Sequence, residues 1–276
     1  WVYAYYARDF TATLLREFYR EIVREHDVDT VIAVDGGTDS LMAGDEAGIG
    51  DPIEDATTIA AVNDLAQAKR KFVICVGFGM DRYNGVSDAS SLRAVAELRA
   101  AGGFLGSIGI EPDGEAFRFY RGAVEMIYEH QSFQSTATGF IISAAEGSYG
   151  GETVPPALAR KLHPTDAFFV WPLMATLYAF DIGAVARRSH LVEWIADATT
   201  QIEVYQAISR GRRGLEDAIR PPEELPVSAE LAGRYGIDFT RLVVTDRDQD
   251  DVAMLEELPA ADNDQDATDN DSGAGP

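Results

Sequence analysis

Seven acidic side chains fall within one glycine-rich stretch, residues 34–55, which reads VDGGTDSLMAGDEAGIGDPIED, and four of them lie before its helix start. Asp35, Asp39, Asp45 and Glu46 are hard oxygen donors. Several carboxylates on a loop suit magnesium or manganese, the more so where a substrate phosphate completes the coordination shell. Asp35 and Asp39 flank Gly36, Gly37 and Thr38, and glycine there lets the backbone approach a ligand closely or adopt a positive φ. Asp51, Pro52 and Glu54 read differently, as a helix start with Asp at the N-cap, Pro at the first helical position and Glu beyond it. Asp45 and Glu46 also fit a plainer role as solvated loop charges.

A second polar loop, GFGMDRYNG at residues 77–85, brings Asp81, Arg82, Tyr83 and Asn84. Gly77-Phe78-Gly79 is half of a dinucleotide fingerprint, without the third glycine in register and without a helix starting at once. The ligand-binding candidates are therefore Asp35, Gly36, Gly37, Thr38, Asp39, Gly77, Gly79 and Asn84. The metal candidates are Asp35, Asp39, Asp45 and Glu46, and the acid or base candidates are Asp81 and His163. His163 precedes Pro164 and reads equally as a loop histidine. His130 and His190 have no partner at metal-ligand spacing, and His26 ends a helix, where its charge complements the dipole. The chain carries no G-x-S-x-G elbow, no H-E-x-x-H, no cysteine-pair zinc site and no Walker loop.

The elements that must carry these loops follow from periodicity. Asp9–Glu25 shows a helical apolar stripe through Phe10, Leu14, Leu15, Phe18, Ile22 and Val23. Thr30–Val34 reads as a buried strand, Asp51–Lys69 as a helix and Lys71–Phe78 as a second buried strand. Ser90–Ala101 predicts a helix stopped by Gly102 and Gly103, and Phe104–Ile110 a third strand. Gly114–His130 and Gln134–Ala145 read as helices, Phe168–Trp171 as a fourth strand, and Pro172 as the start of a helix through Phe180. Leu191–Arg210 reads as one more helix. Strand and helix alternating in this way predict a Rossmann-like three-layer α/β/α fold with a mostly parallel sheet. Both polar loops then leave the carboxyl ends of strands, where open α/β sheets bind ligands. Residues 1–226 read as that domain, 227–257 as a small appendage and 258–276 as a disordered acidic tail.

Composition narrows the partners. Of 276 residues 46% are hydrophobic, enough for a sizeable core, and 46 acidic against 23 basic residues leave a formal charge of -23. The only lysines are Lys69, Lys71 and Lys161. A lysine-poor acidic surface is expected of a protein kept soluble in concentrated salt, where the Debye length falls to roughly 3 Å at 1 M. No basic stripe is present to displace counterions from nucleic acid or to meet an anionic membrane. Cys75 lies in an apolar run, reads as a buried strand residue and allows no disulfide within the chain. That and the lack of a signal peptide or a ~20-residue apolar span predict a cytoplasmic protein.

The long block Val34–Val62, together with VGFGMDRYNGV at 76–86, AGGFLGSIGI at 101–110, FVWPLMATLYAFDI at 169–182 and RPP at 220–222, is similar to the family called domain of unknown function 1152. The resemblance implies a Rossmann-like α/β fold and no known chemistry. Members of that family typically open with a strand and a G-G-G-x-D stretch, and this chain begins after that point. The resemblance therefore implies that a strand or two, and one wall of the site, lie outside it. Three functions stay open. The first is a divalent-metal-dependent enzyme acting on a small phosphorylated or nucleotide-like metabolite, and the second a non-catalytic module binding such a ligand. The third is a structural protein whose acidic loops are adaptation to salt.

Overall fold

An amphipathic helix opens the described fold because residues 12–25 place their apolar side chains on one stripe. The structure is a computed structural model, and it describes residues 1–6, 10–131, 134–163, 166–222 and 224–225. These belong to the compact unit Trp1–Leu225; the appendage and tail expected at 227–257 and 258–276 lie outside the described residues. Helix α1 (Ala12–Glu25) starts at Thr11, whose hydroxyl accepts from the Leu14 amide, and buries Leu15 and Val23.

Strand β1 (Thr30–Asp35) runs parallel to β2 (Arg70–Cys75), with α2 (Pro52–Asn63) between them in sequence. Helix α3 (Asp88–Ala100) leads to β3 (Phe104–Gly109), followed by α4 (Glu115–His130) and α5 (Thr136–Ala145). Strand β4 (Thr176–Asp181) then inserts between β2 and β3, antiparallel to both, giving the order β1-β2-β4-β3. The chain continues through α6 (Ile182–Arg188), α7 (His190–Ile195) and α8 (Gln201–Gly214). The described sheet is thus mixed: β1, β2 and β3 share one direction and β4 opposes them. Among the described residues no helix is long and apolar enough to cross a membrane.

Several boundaries differ from the sequence reading. Phe168–Trp171 forms no strand; Val170 makes only an isolated bridge to Gly150. The fourth strand lies at 176–181, inside the segment expected to be helical. A short apolar run cannot reveal its period, and here β-branched and aromatic residues at Thr176, Tyr178 and Phe180 fill a vacant sheet position. The helix expected over Asp51–Lys69 stops at Asn63, and β2 ends at Cys75 because Gly77 takes a φ of +86°. The helix expected over Leu191–Arg210 is two helices. Thr200 and Glu203 form a capping box that starts α8 afresh. Strand β1, at the edge of the described sheet, is not buried: Ile32 is 50% and Val34 68% exposed.

The principal core packs α2, α3 and α6 against the sheet through Ile59, Val62, Leu65, Val73, Leu98, Phe180 and Val185. A second cluster joins α4 and α5 through Phe117, Phe140, Leu158 and Met174. Truncating fully buried Phe180 to alanine therefore costs about 3–5 kcal/mol. Together these clusters hold the carboxyl ends of β1 and β2 side by side, so the two polar loops meet.

Candidate functional site

Asp35 is the last residue of β1, and the chain after it turns through Gly36 and Gly37 into a single 3-10 turn, Asp39–Leu41. The loop then passes through Gly44 and Gly50 to reach Pro52, which opens α2. Asp51 occupies the N-cap position, but its side chain makes no capping bond. The Asp51 amide instead donates to Asp39 Oδ2 at 3.0 Å, so Asp39 satisfies the start of α2 from across the loop. The capping box expected of Asp51 and Glu54 is therefore not formed.

Asp35, Asp39 and Asp55 converge. One carboxylate oxygen from each lies within 4.8 Å of the others. Asp55 comes from the first turn of α2, inside the segment Asp51–Lys69 expected to be a helix, and is not among the residues singled out from the sequence. The three line an open cleft of about 320 Å³ with Val34, Gly36, Asp51 and Glu54. Asp35 Oδ2 accepts from the Ser40 hydroxyl at 2.6 Å. Gly50 is required beside Asp39: its φ is +65°, and a Cβ there would stand 2.3 Å from Asp39 Oδ2.

The electrostatics of this cluster are one-sided. Burial, then the charges of Asp35 and Asp39, push Asp55 up to about 10. Burial, then the charge of Asp39, raises Asp35 to about 7. Burial also raises Asp39, opposed by hydrogen bonds from the Asp51 amide and from Asp55. Among the described residues no lysine or arginine forms an ion pair with any of the three. Crowded carboxylates without a counter-charge keep protons that ordinary acids release.

Asp45 and Glu46, expected as metal ligands, are not part of this group. Glu46 is only 2% exposed, and its carboxylate accepts from the amides of Ala43 and Gly44 at 3.0 and 2.9 Å. Arg220 lies 2.7 Å from it and Arg188 3.5 Å. Asp45 pairs with Arg220 at 2.6 Å. Arg212 donates to the carbonyls of Gly44 and Glu46 at 2.8 and 2.9 Å. These acids hold the loop's backbone in place and are already neutralised.

Loop 77–85 touches the first loop through its backbone. A Cβ on Gly77 would lie 3.3 Å from the Gly36 carbonyl oxygen. Asp81 is buried, and Thr38 donates to its Oδ2 through both its amide and its hydroxyl. Burial, then the charge of Asp39, raises Asp81 to about 6. Gly79 packs instead beside Arg82 and Trp171, and Asn84 is exposed at the end of a 3-10 turn. His163 is exposed on another turn, where its amide donates to Asp166 at 2.7 Å. Neither Gly79, Asn84 nor His163 lines the cleft.

Over residues 9–214 the chain matches a family described as a protein of unknown function (DUF1152). The chain belongs to that family. No curated protein and no solved structure matches it. A second cavity of about 320 Å³ in this DUF1152 protein lies beside α4 and α5 and is lined by Arg121, Glu125, Glu146 and Arg160. Its charges answer one another, since Arg121 pairs with both Glu125 and Glu146. What sets the Asp35 cleft apart is that, among the described residues, no basic side chain forms an ion pair with Asp35, Asp39 or Asp55.

Proposed function

We propose that Asp35, Asp39 and Asp55 hold a divalent cation of the magnesium or manganese class. An anionic group of a small phosphorylated or nucleotide-like metabolite completes its shell, and the protein is an enzyme acting on that metabolite. The observation that carries this reading is the meeting of three carboxylates within 4.8 Å in an open cleft. A bound cation would neutralise the cluster, orient the substrate and polarise its phosphoryl or carbonyl oxygen. A Rossmann-like frame, with ligands gathered at strand carboxyl ends, suits that chemistry. The acidic, lysine-poor composition goes with a cytoplasm of high salt.

A second reading, a non-catalytic module binding the same ligand, is favoured by one observation. Asp81 is engaged by Thr38, and His163 does not line the cleft, so neither expected acid or base faces it. Turnover then rests on the cation and its own ligands.

The test is a manganese titration followed by electron paramagnetic resonance, in concentrated potassium chloride. Wild type and the exposed control Asp113→Asn should bind one tight equivalent. Asp39→Asn should lose it. Equal weak binding by all three proteins would mean that the acidic surface collects cations diffusely, and the site reading would fail. With manganese bound, a panel of phosphate esters separates enzyme from binding module by whether product forms.

A further inference from the structure

Asp81 belongs by sequence to the loop after β2, yet its carboxylate serves the loop after β1. It is 6% exposed. Its Oδ2 accepts from the Thr38 amide and, at 3.2 Å, from the Thr38 hydroxyl, and the Asp39 amide donates to the same carboxylate. The Thr38 hydroxyl also meets Ser91 Oγ of α3 at 2.8 Å. Thr38 stands at the N-cap of the turn Asp39–Leu41, but its own side chain makes no capping bond. Asp35 Oδ2 takes the Ser40 amide of that turn, and Asp81 holds Thr38 itself from the neighbouring loop. It presses so closely that a Cβ on Gly37 would lie 2.4 Å from its Oδ2. The peptide units gripped in this way are those that carry Asp39, whose own carboxylate accepts from the Asp51 amide at the start of α2.

We infer that Asp81 is a positioning residue for the cation cluster: by capping the Thr38–Asp39 amides it aims the Asp39 carboxylate, and it neither ligates the cation nor transfers a proton. The inference rests on the reading that Asp35, Asp39 and Asp55 hold a cation. A group that orients a ligand typically changes metal affinity by about 10–100-fold when removed. What Asp81 contributes is an acceptor oxygen at a fixed place, so an uncharged acceptor of the same shape should serve as well.

Asp81→Asn and Asp81→Ala separate the possibilities through two readouts. The first is manganese affinity. The second, taken in chelator without metal, is hydrogen-exchange protection of the Asp51 amide, which reports where the Asp39 carboxylate sits; protection of the Val73 amide in β2 reports the integrity of the sheet. Asp81→Asn should keep Asp51 protection and manganese affinity within about threefold of wild type, because its amide oxygen still accepts from Thr38. Asp81→Ala should lower Asp51 protection by about tenfold and manganese affinity by about tenfold or more, with Val73 unchanged. Should the alanine variant not fold, Asp81→Glu, which keeps the charge but displaces the acceptor, should show the same two losses.

Unchanged Asp51 protection in Asp81→Ala or Asp81→Glu would overturn the inference. So would a loss of manganese affinity in Asp81→Asn as large as in alanine while Asp51 stays protected, since Asp81 would then be acting through its charge. If wild type binds no manganese yet Asp51 protection still depends on Asp81, the cation reading falls and the placement of Asp39 by Asp81 stands.

Discussion

Replacing Asp55 with asparagine should stabilise the cation-free protein, against the usual expectation for a half-buried polar residue. Asp55 lies within 4.8 Å of Asp35 and Asp39 through their carboxylate oxygens. At that distance one pair of like charges repels by about 3.5 kcal/mol at an effective dielectric of ~20 and by about 0.9 kcal/mol in bulk water. The protein avoids this repulsion by keeping a proton on Asp55, whose pKa rises to about 10. The unfolded chain releases that proton near its ordinary value, so the folded state binds more protons and stability falls as pH rises from about 4 toward 10. Asparagine carries no such penalty, and its amide can donate to Asp39 as the protonated acid does.

We expect Asp55→Asn to gain at least about 2–3 kcal/mol near pH 8, because wild type must hold the Asp55 proton well above its ordinary value at a cost of about 1.4 kcal/mol per pH unit, and nothing near pH 4. For a chain of this size that is a rise of about 4–10 °C in melting temperature. The assay is thermal unfolding in chelator and concentrated salt, run for both proteins across this pH range. Manganese should then reverse the order near pH 8, stabilising wild type alone. An asparagine variant no more stable than wild type near pH 8, or a gain that does not shrink on acidification, would refute the reasoning.

Manganese binding to wild type should release protons and strengthen as pH rises through about 7, the value to which Asp35 is raised; isothermal titration in two buffers of different ionisation enthalpy measures this. Glu46→Gln should cost about 3–5 kcal/mol in denaturant unfolding, because Arg220 and Arg188 lose the buried charge that answers them. Asp45→Asn, on the more exposed arm of the same network, should cost about 1 kcal/mol or less. Gly50→Ala should destabilise by about 1–3 kcal/mol, from its left-handed backbone and its clash with Asp39, and should weaken manganese binding in the same titration. Circular dichroism should show loss of structure as salt is lowered, since 46 acidic residues then repel one another unscreened.

Much of this is legible in the sequence. The helices α1, α3, α4 and α5 and the strands β1 to β3 follow from apolar period and glycine stops, and D-G-G-T-D was placed at a strand end. Asp35 and Asp39 were singled out because they flank the glycines there. Asp55 was missed because an acid in the first turn of a helix usually only complements the dipole. The available signal was that α2 begins directly at the strand-end loop, so its first turn faces the same space. Asp45 and Glu46 were misread because their partners, Arg188 and Arg220, lie far along the chain. Strand β4 was misread because only pairing with β2 and β3 tells TLYAFD from a helical turn.

The contrast between the two acidic groups is the strongest argument for a ligand. Within one loop the protein buries Glu46 and answers it with two backbone amides and two arginines, as burial of a charge requires. The same loop turns Asp35 and Asp39 toward Asp55 and gives the cluster hydrogen bonds but, among the described residues, no ion pair with a basic side chain. The fold can therefore supply arginines to a carboxylate and does so eleven residues from Asp35. Leaving three carboxylates crowded, with a proton held on Asp55, costs stability at neutral pH, and neither core packing nor capping requires it: the Asp51 amide needs Asp39 alone. A surface acid added for solubility in salt has no reason to be buried against its own kind. On the proposal that these side chains hold a cation, its binding would remove that penalty at the open cleft where all three converge.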